Sequence, residues 1–135
     1  MAKNYTLSLS HEYQVSPEKV YEKIQDGTIF KLAGCDDLLH EFAVDAPVAM
    51  FFNDRGQIFG TYKEIVKNKK VVLDWNVTGF DKPEELNTRL QITLSPKEKN
   101  KTSLSLTNSE IKNEASYEAK KKAWEEILDD LEKEF

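Results

Sequence analysis

The chain has 135 residues, 39% hydrophobic and 32% charged, with a formal net charge of −5. That length fits one domain with a true hydrophobic core, and the composition excludes an intrinsically disordered chain. The mild acidic excess argues against binding along a nucleic-acid backbone, which takes clustered Lys and Arg. The single cysteine, Cys35, excludes an intramolecular disulfide.

Met1 to Asn4 leads straight into an alternating segment with no apolar signal core. No apolar run approaches the roughly 20 residues that a membrane-spanning helix needs, so the expected compartment is the cytoplasm. Tyr5, Leu7, Leu9, His11, Tyr13 and Val15 alternate with polar residues, the period-2 mark of a half-buried strand. Ser16-Pro17-Glu18 then reads as a helix start, with Ser16 as N-cap, proline at the first helical position and an acid in the first turn. Val20, Tyr21 and Ile24 supply its buried stripe, Asp26-Gly27 ends it, and Thr28 to Ala33 predicts a second helical turn before Gly34.

Six further strands are expected. Leu38 to Asp45 alternates, and Val48 to Phe52 follows, closed by the hairpin turn Asn53-Asp54-Arg55-Gly56. Gln57 to Val66 returns, with Gly60 marking a bulge or a close backbone approach. Val71, Leu73, Trp75 and Val77 share one face of the next strand, and a loop from Gly79 to Asn87 follows. Leu90, Ile92 and Leu94 alternate, Pro96 to Lys101 reads as a charged turn, and Leu104 and Leu106 complete the last strand. The period then changes. Tyr117, Trp124, Ile127, Leu128, Leu131 and Phe135 fall on one face of a helix from about Glu114 to the end. The fold expected is α+β: a curved antiparallel sheet of about seven strands, packed on one long C-terminal helix, with a short helix or helix pair after the first strand.

Several of these stretches resemble the activator of heat-shock protein 90 ATPase homologue family, within the START-like helix-grip (SRPBCC) superfamily. Val15-Ser16-Pro17-Glu18-Lys19-Val20-Tyr21 is similar to its opening strand-to-helix step. Gly60-Thr61-Tyr62-Lys63-Glu64-Ile65, followed by Lys70-Val71-Val72-Leu73-Asp74-Trp75, resembles its central hairpin. Thr88 to Leu94 and Thr102 to Thr107 resemble its last two strands, and Ala123-Trp124-Glu125-Glu126-Ile127-Leu128 its helix signature. Two positions depart from the family pattern. Ala46-Pro47 stands where relatives often carry a glycine pair, and Phe30 to Asp37 lacks a tryptophan that many carry. The resemblance implies a helix-grip domain over residues 1–135. It implies two partner classes: an apolar or amphipathic small molecule held between sheet and helix, or a chaperone whose ATPase the domain stimulates. A dispersed-site, cyclase-like enzyme is the third reading.

The residues themselves name no catalytic group. There is no glycine-rich phosphate loop, nucleophile elbow, metal-ligand helix or paired-cysteine motif, and nothing calls for a cofactor or metal. Strand alternation puts His40, Phe42, Trp75 and the Trp124 stripe on buried faces, and with Met50, Phe52 and Phe59 they form the expected lining of a cavity. A filled core is the competing reading of the same residues. His11 and His40 are either a ligand-orienting or acid–base pair inside the cavity, or histidines hydrogen-bonded in the core or placed at a sheet edge. Phe80 is the candidate lid, as a large apolar residue in a charged loop that opens with Gly79. Asp129, Asp130, Glu132 and Glu134 close the last helix with acids, against its macrodipole.

Overall fold

The computed structural model describes residues 5–53, 55–79, 85–112 and 114–135. Its elements are β1 (Tyr5–Tyr13), α1 (Pro17–Gln25), α2 (Thr28–Lys31), β2 (Asp37–His40), β3 (Pro47–Phe51), β4 (Gln57–Val66), β5 (Lys70–Thr78), β6 (Glu85–Glu98), β7 (Lys101–Ile111) and α3 (Glu114–Glu132). The strands form one seven-stranded sheet in the order β1-β7-β6-β5-β4-β3-β2, and every neighbouring pair is antiparallel. This is the helix-grip architecture, with α3 lying against the inner face. At 19 residues, α3 is about 28 Å long at 1.5 Å per residue. No helix among the described residues is long and apolar enough to cross a membrane.

The inner face follows from the alternation. Leu73, Leu90, Leu104 and Leu106 on the sheet and Trp124, Leu128 and Leu131 on α3 are buried in one cluster. Tyr13 pins the helix at one point: its hydroxyl donates to the Leu128 carbonyl at 2.8 Å, within the core. That bond gives the buried phenol a polar partner, without which burying its hydroxyl would be costly. Burial, with the nearby Glu132 and Asp129 carboxylates adding to it, pushes the Tyr13 pKa well above the ordinary phenol value, so the hydroxyl keeps its proton.

The structure corrects some local expectations and decides others. β2 ends at His40 rather than running to Asp45, because Asp45 turns the chain at φ 68° before β3 begins. Pro96 lies inside β6, paired with Thr102, and the turn falls at Asn100 (φ 59°). A proline is tolerated there because β5 pairs with β6 only as far as Thr93, so that flank of the strand needs no donor. Gly60 is a close approach, not a bulge; the register shift on β4 falls between Tyr62 and Glu64. Ser16 takes the N-cap backbone conformation but makes no side-chain cap bond. Of the Gly79–Asn87 loop, residues 80–84 lie outside the described residues, and the lid candidate Phe80 with them. β6 already starts at Glu85, so the connection is shorter than expected.

His40 lies at the sheet edge and is half-buried, with Nδ1 2.7 Å from the Tyr62 hydroxyl. Desolvation lowers its pKa below the ordinary 6.5, Lys31 adds to that, and Asp26 opposes it. Burial raises the Tyr62 pKa, so the phenol is the donor and the neutral imidazole accepts. This bond ties β2 to β4, across the intervening β3.

Two outcomes follow from this packing. Trp124→Ala should cost about 3–5 kcal/mol in denaturant unfolding, as expected for an aromatic only 6% exposed; a loss under about 1 kcal/mol would mean that α3 does not seal the sheet. The depressed His40 pKa means the unfolded chain takes up the proton first as pH falls. Its contribution is therefore present above about 6.5 and lost as pH drops through 6.5 toward the folded value. Unfolding measured between pH 7.5 and pH 5 should show this loss in the wild type and a shallower slope in His40→Gln.

Candidate functional site

An apolar cavity of about 120 Å³ lies where α2, the β3–β5 sheet and α3 meet. Its floor is Phe30, Met50, Ile58 and Trp75; Trp124 and Ile127 close it from the helix; Ala33, Lys120 and Ala123 form the rim. Period-2 spacing puts Met50, Ile58 and Trp75 on the same inner face, since Met50 pairs with Ile58 and Gly60 pairs with Trp75. Trp75 sits where it does because Gly60 has no side chain. A Cβ there would stand 2.7 Å from the Trp75 Cβ and would also meet the Asp74 carbonyl.

Three aromatic rings set the cavity's shape. The Trp75 and Trp124 indoles lie nearly parallel, 13° apart with centroids at 6.3 Å. Phe30 meets Trp75 edge-on, at 66° and 6.2 Å. These are the offset and T-shaped geometries that aromatic quadrupoles favour. The rim is made of small side chains: Ala33 and Ala123 are exposed and Lys120 is half-buried, so the cavity communicates with the surface between α2 and α3. The indole Nε1 of Trp75 is buried without a hydrogen-bond partner, and so is Oδ1 of Asn108, further across the sheet. Asn108 is otherwise tied down, its Nδ2 donating to the Arg89 carbonyl at 3.0 Å.

Of the expected lining, Met50, Trp75 and Trp124 line this cavity. His40 faces Tyr62 instead, with Phe42 packed edge-on against Tyr62 and Tyr21. Phe52 is buried beside the β3–β4 turn, with the Arg55 guanidinium 5.4 Å over its ring. Phe59 is on the outer face, 39% exposed and edge-on to Phe51, because β4 presents Ile58 and Gly60 inward. Sequence reasoning missed Phe30, Ala33, Ile58, Lys120, Ala123 and Ile127. The small alanines carried a signal for the rim, since Ala123 adjoins Trp124 on the helix, but only the crossing of α3 over α2 identifies the opening.

His11 also lies away from the cavity. Its ring stacks on Tyr13 at 4.5 Å and stands 3.4 Å from Glu132 and 3.7 Å from Asp129. Two of the acids that oppose the α3 dipole therefore face an imidazole on β1. A larger concavity, about 680 Å³, is an open polar groove between α1 and the β4–β5 turn, walled by Glu18, Glu22, Gln25 and Lys67 among others. It has the character of solvated surface. No group of three or more His, Cys, Asp and Glu suited to a metal ion occurs among the described residues.

The architecture recurs in solved structures. Protein MLL2253 from Mesorhizobium loti superposes with a TM-score of 0.82 at 18% identity, over 96% of this chain and 95% of that one. The Aha1 dimer from Colwellia psychrerythraea gives 0.75 at 22% identity, over 95% and 93%. PFC0360w from Plasmodium falciparum, described as an HSP90 activator, gives 0.66 at 24% identity, over 83% and 77%. At these identities the likeness is one of fold. Comparison with curated proteins finds no match. A family model described as "Activator of Hsp90 ATPase homolog 1-like protein" matches residues 14–135, nearly the entire sheet and both helical layers, and the chain belongs to that family.

Proposed function

We propose that this protein is a binding domain for a small apolar molecule, held between the sheet and α3. The observation that carries this reading is the apolar cavity at the Trp75–Trp124 pair, open at a rim of two alanines. A filled core would have closed that space with larger side chains, since interiors are packed to crystal-like density. The volume of about 120 Å³ decides the ligand's size. An engineered cavity of about 150 Å³ holds benzene, so this smaller space, open at its rim, takes no more than one ring or the end of a longer molecule emerging there. Lys120 is the only acid or base among the lining side chains. General acid–base chemistry needs a proton donor or acceptor within reach of the reacting atom, and this favours binding over a cyclase-like reaction.

Both tryptophans of the chain line the cavity, so intrinsic fluorescence reports its occupancy directly. Toluene should give a saturable change in wild-type emission. Ala33→Phe and Ala123→Phe, at exposed rim positions, should weaken it about tenfold or more with little loss of stability. Native mass spectrometry of protein taken from cells should reveal a small-molecule adduct that denaturation releases. No saturable response to toluene and no adduct would remove the reading.

A second reading is a module that stimulates a chaperone ATPase. The family description and the Plasmodium HSP90 activator support it. So does the outer sheet face, where Leu39 is 65% exposed near Phe51 and Phe59. An ATPase assay with purified heat-shock protein 90 separates the two readings. Stimulation abolished by Leu39→Lys with Phe59→Lys, and retained in Ala123→Phe, would establish the second.

A further inference from the structure

One lysine of the run Lys120-Lys121-Lys122 sits in the apolar stripe of α3. Lys121 and Lys122 are exposed, but Lys120 is half-buried and lines the cavity. Its spacing explains this. Lys120 lies three residues after Tyr117, four before Trp124 and seven before Ile127, so all four share one helical face. From that position, beside an alanine rim, a leucine or methionine would close the cavity. The chain carries instead a flexible four-carbon stem that ends in an ammonium. Such side chains lay the stem along apolar surface and keep the charged head in water. Lys120 therefore adds apolar wall to the cavity and tethers a positive charge at its opening.

The size of the cavity decides what that charge meets. About 120 Å³ takes no more than one ring, so a longer molecule leaves its remaining atoms at the rim. There the side chains are Ala33, Ala123 and Lys120. The alanine side chains offer neither donor nor acceptor, and no lining residue is acidic. Resting on the small-molecule reading of this cavity, we infer that the ligand is an amphipathic carboxylate. Its tail, one aryl ring or a short alkyl chain, lies beside Trp75 and Trp124, and its carboxylate projects at the rim to the Lys120 ammonium. Only the tail is taken out of water. The carboxylate stays at the surface, so it escapes the penalty of burying a charge and accepts a charge-assisted hydrogen bond from the ammonium. A neutral amide in the same place accepts a weaker bond, and an amine is repelled. Lys120 thus sets the head-group preference, while the rings and the alanines set the fit of the tail.

The test uses 3-phenylpropionate, 3-phenylpropionamide and 3-phenylpropylamine, which share a tail and carry a negative, zero and positive charge at neutral pH. Each is titrated into the full chain at low salt and followed by tryptophan fluorescence. The carboxylate should bind about threefold tighter than the amide, the scale of an exposed ion pair, and the amine should bind most weakly. In about 0.5 M salt the carboxylate's advantage should shrink, while the affinity for the amide does not fall. Lys120→Met keeps an unbranched side chain and a strong helix former, and should lose the advantage. Lys120→Glu should favour the amine over the carboxylate. Lys121→Met, one position round the helix and exposed, should keep the wild-type order, which separates a contact from the general field of the lysine run. Should a variant fail to fold, the wild-type order and its salt dependence decide. Amide binding equal to or tighter than carboxylate binding in the wild type, or an advantage that persists in Lys120→Met, would overturn the inference while the cavity remained a ligand site. If toluene binds and none of the three does, the inference falls alone; if toluene fails as well, both fall.

Discussion

A parallel pair of indoles joins the sheet to the helix, and the rest of the molecule is arranged around that contact. Trp75 projects from β5 and Trp124 from α3, with their centroids 6.3 Å apart. Each is a large ring with a broad apolar face, and together they set the separation between α3 and the β3–β5 part of the sheet. Smaller side chains at these positions would let the helix settle closer or leave it unsupported. Two small residues make the contact possible. Gly60 gives up its side chain so that Trp75 can sit across from it, although glycine inside a strand weakens the strand. Ala123, next to Trp124, leaves the helix surface low where the cavity opens.

Around this pair, polar groups secure the edges. Tyr13 at one end bonds its hydroxyl to the backbone of α3, and Tyr62 at the other bonds His40 on the edge strand. Thr102 donates to the Val15 carbonyl at 2.7 Å, which fixes the step from β1 into α1. In each case a hydroxyl inside an otherwise apolar cluster meets an acceptor in a specific place. Such bonds add modest net stability, and their larger effect is to exclude arrangements in which the same groups would be buried unpaired. Against that background two buried side-chain atoms have no partner among the described residues, Nε1 of Trp75 and Oδ1 of Asn108.

The acidic end of α3 shows how a local rule is broken and then compensated. Carboxylates near a helix C-terminus oppose its dipole, yet the last turns carry Asp129, Asp130 and Glu132. Asp129 and Glu132 flank His11 on β1, and Asp130 meets Lys133 at 3.3 Å. The pairs are solvent-exposed on the carboxylate side, so each contributes little to stability. What they do supply is a preferred alignment of the helix end over the edge strand, next to the Tyr13 bond.

The sequence by itself determined the element order, about seven strands, the helical step after the first strand and the long closing helix, because side-chain periodicity is a local property. Period 2 from Tyr5 to Tyr13 and period 3.6 from Tyr117 to Leu131 need no tertiary information. It also marked Trp75, Met50 and Trp124 as inward-facing. It misplaced Phe59 because the phase of β4 is set by its pairing with Ala49 and Asn76. One position along a strand moves a side chain to the opposite face, and nothing within Gln57–Val66 reveals which neighbour each residue will face. Spacing alone did not decide between a cavity role and a hydrogen-bonded one for His40; the fold brings Tyr62, 22 positions away, to 2.7 Å. The cavity itself was decided only by tertiary structure. Its walls come from α2, β3, β4, β5 and α3, and its volume is the small remainder left when those elements pack, a quantity no single segment carries.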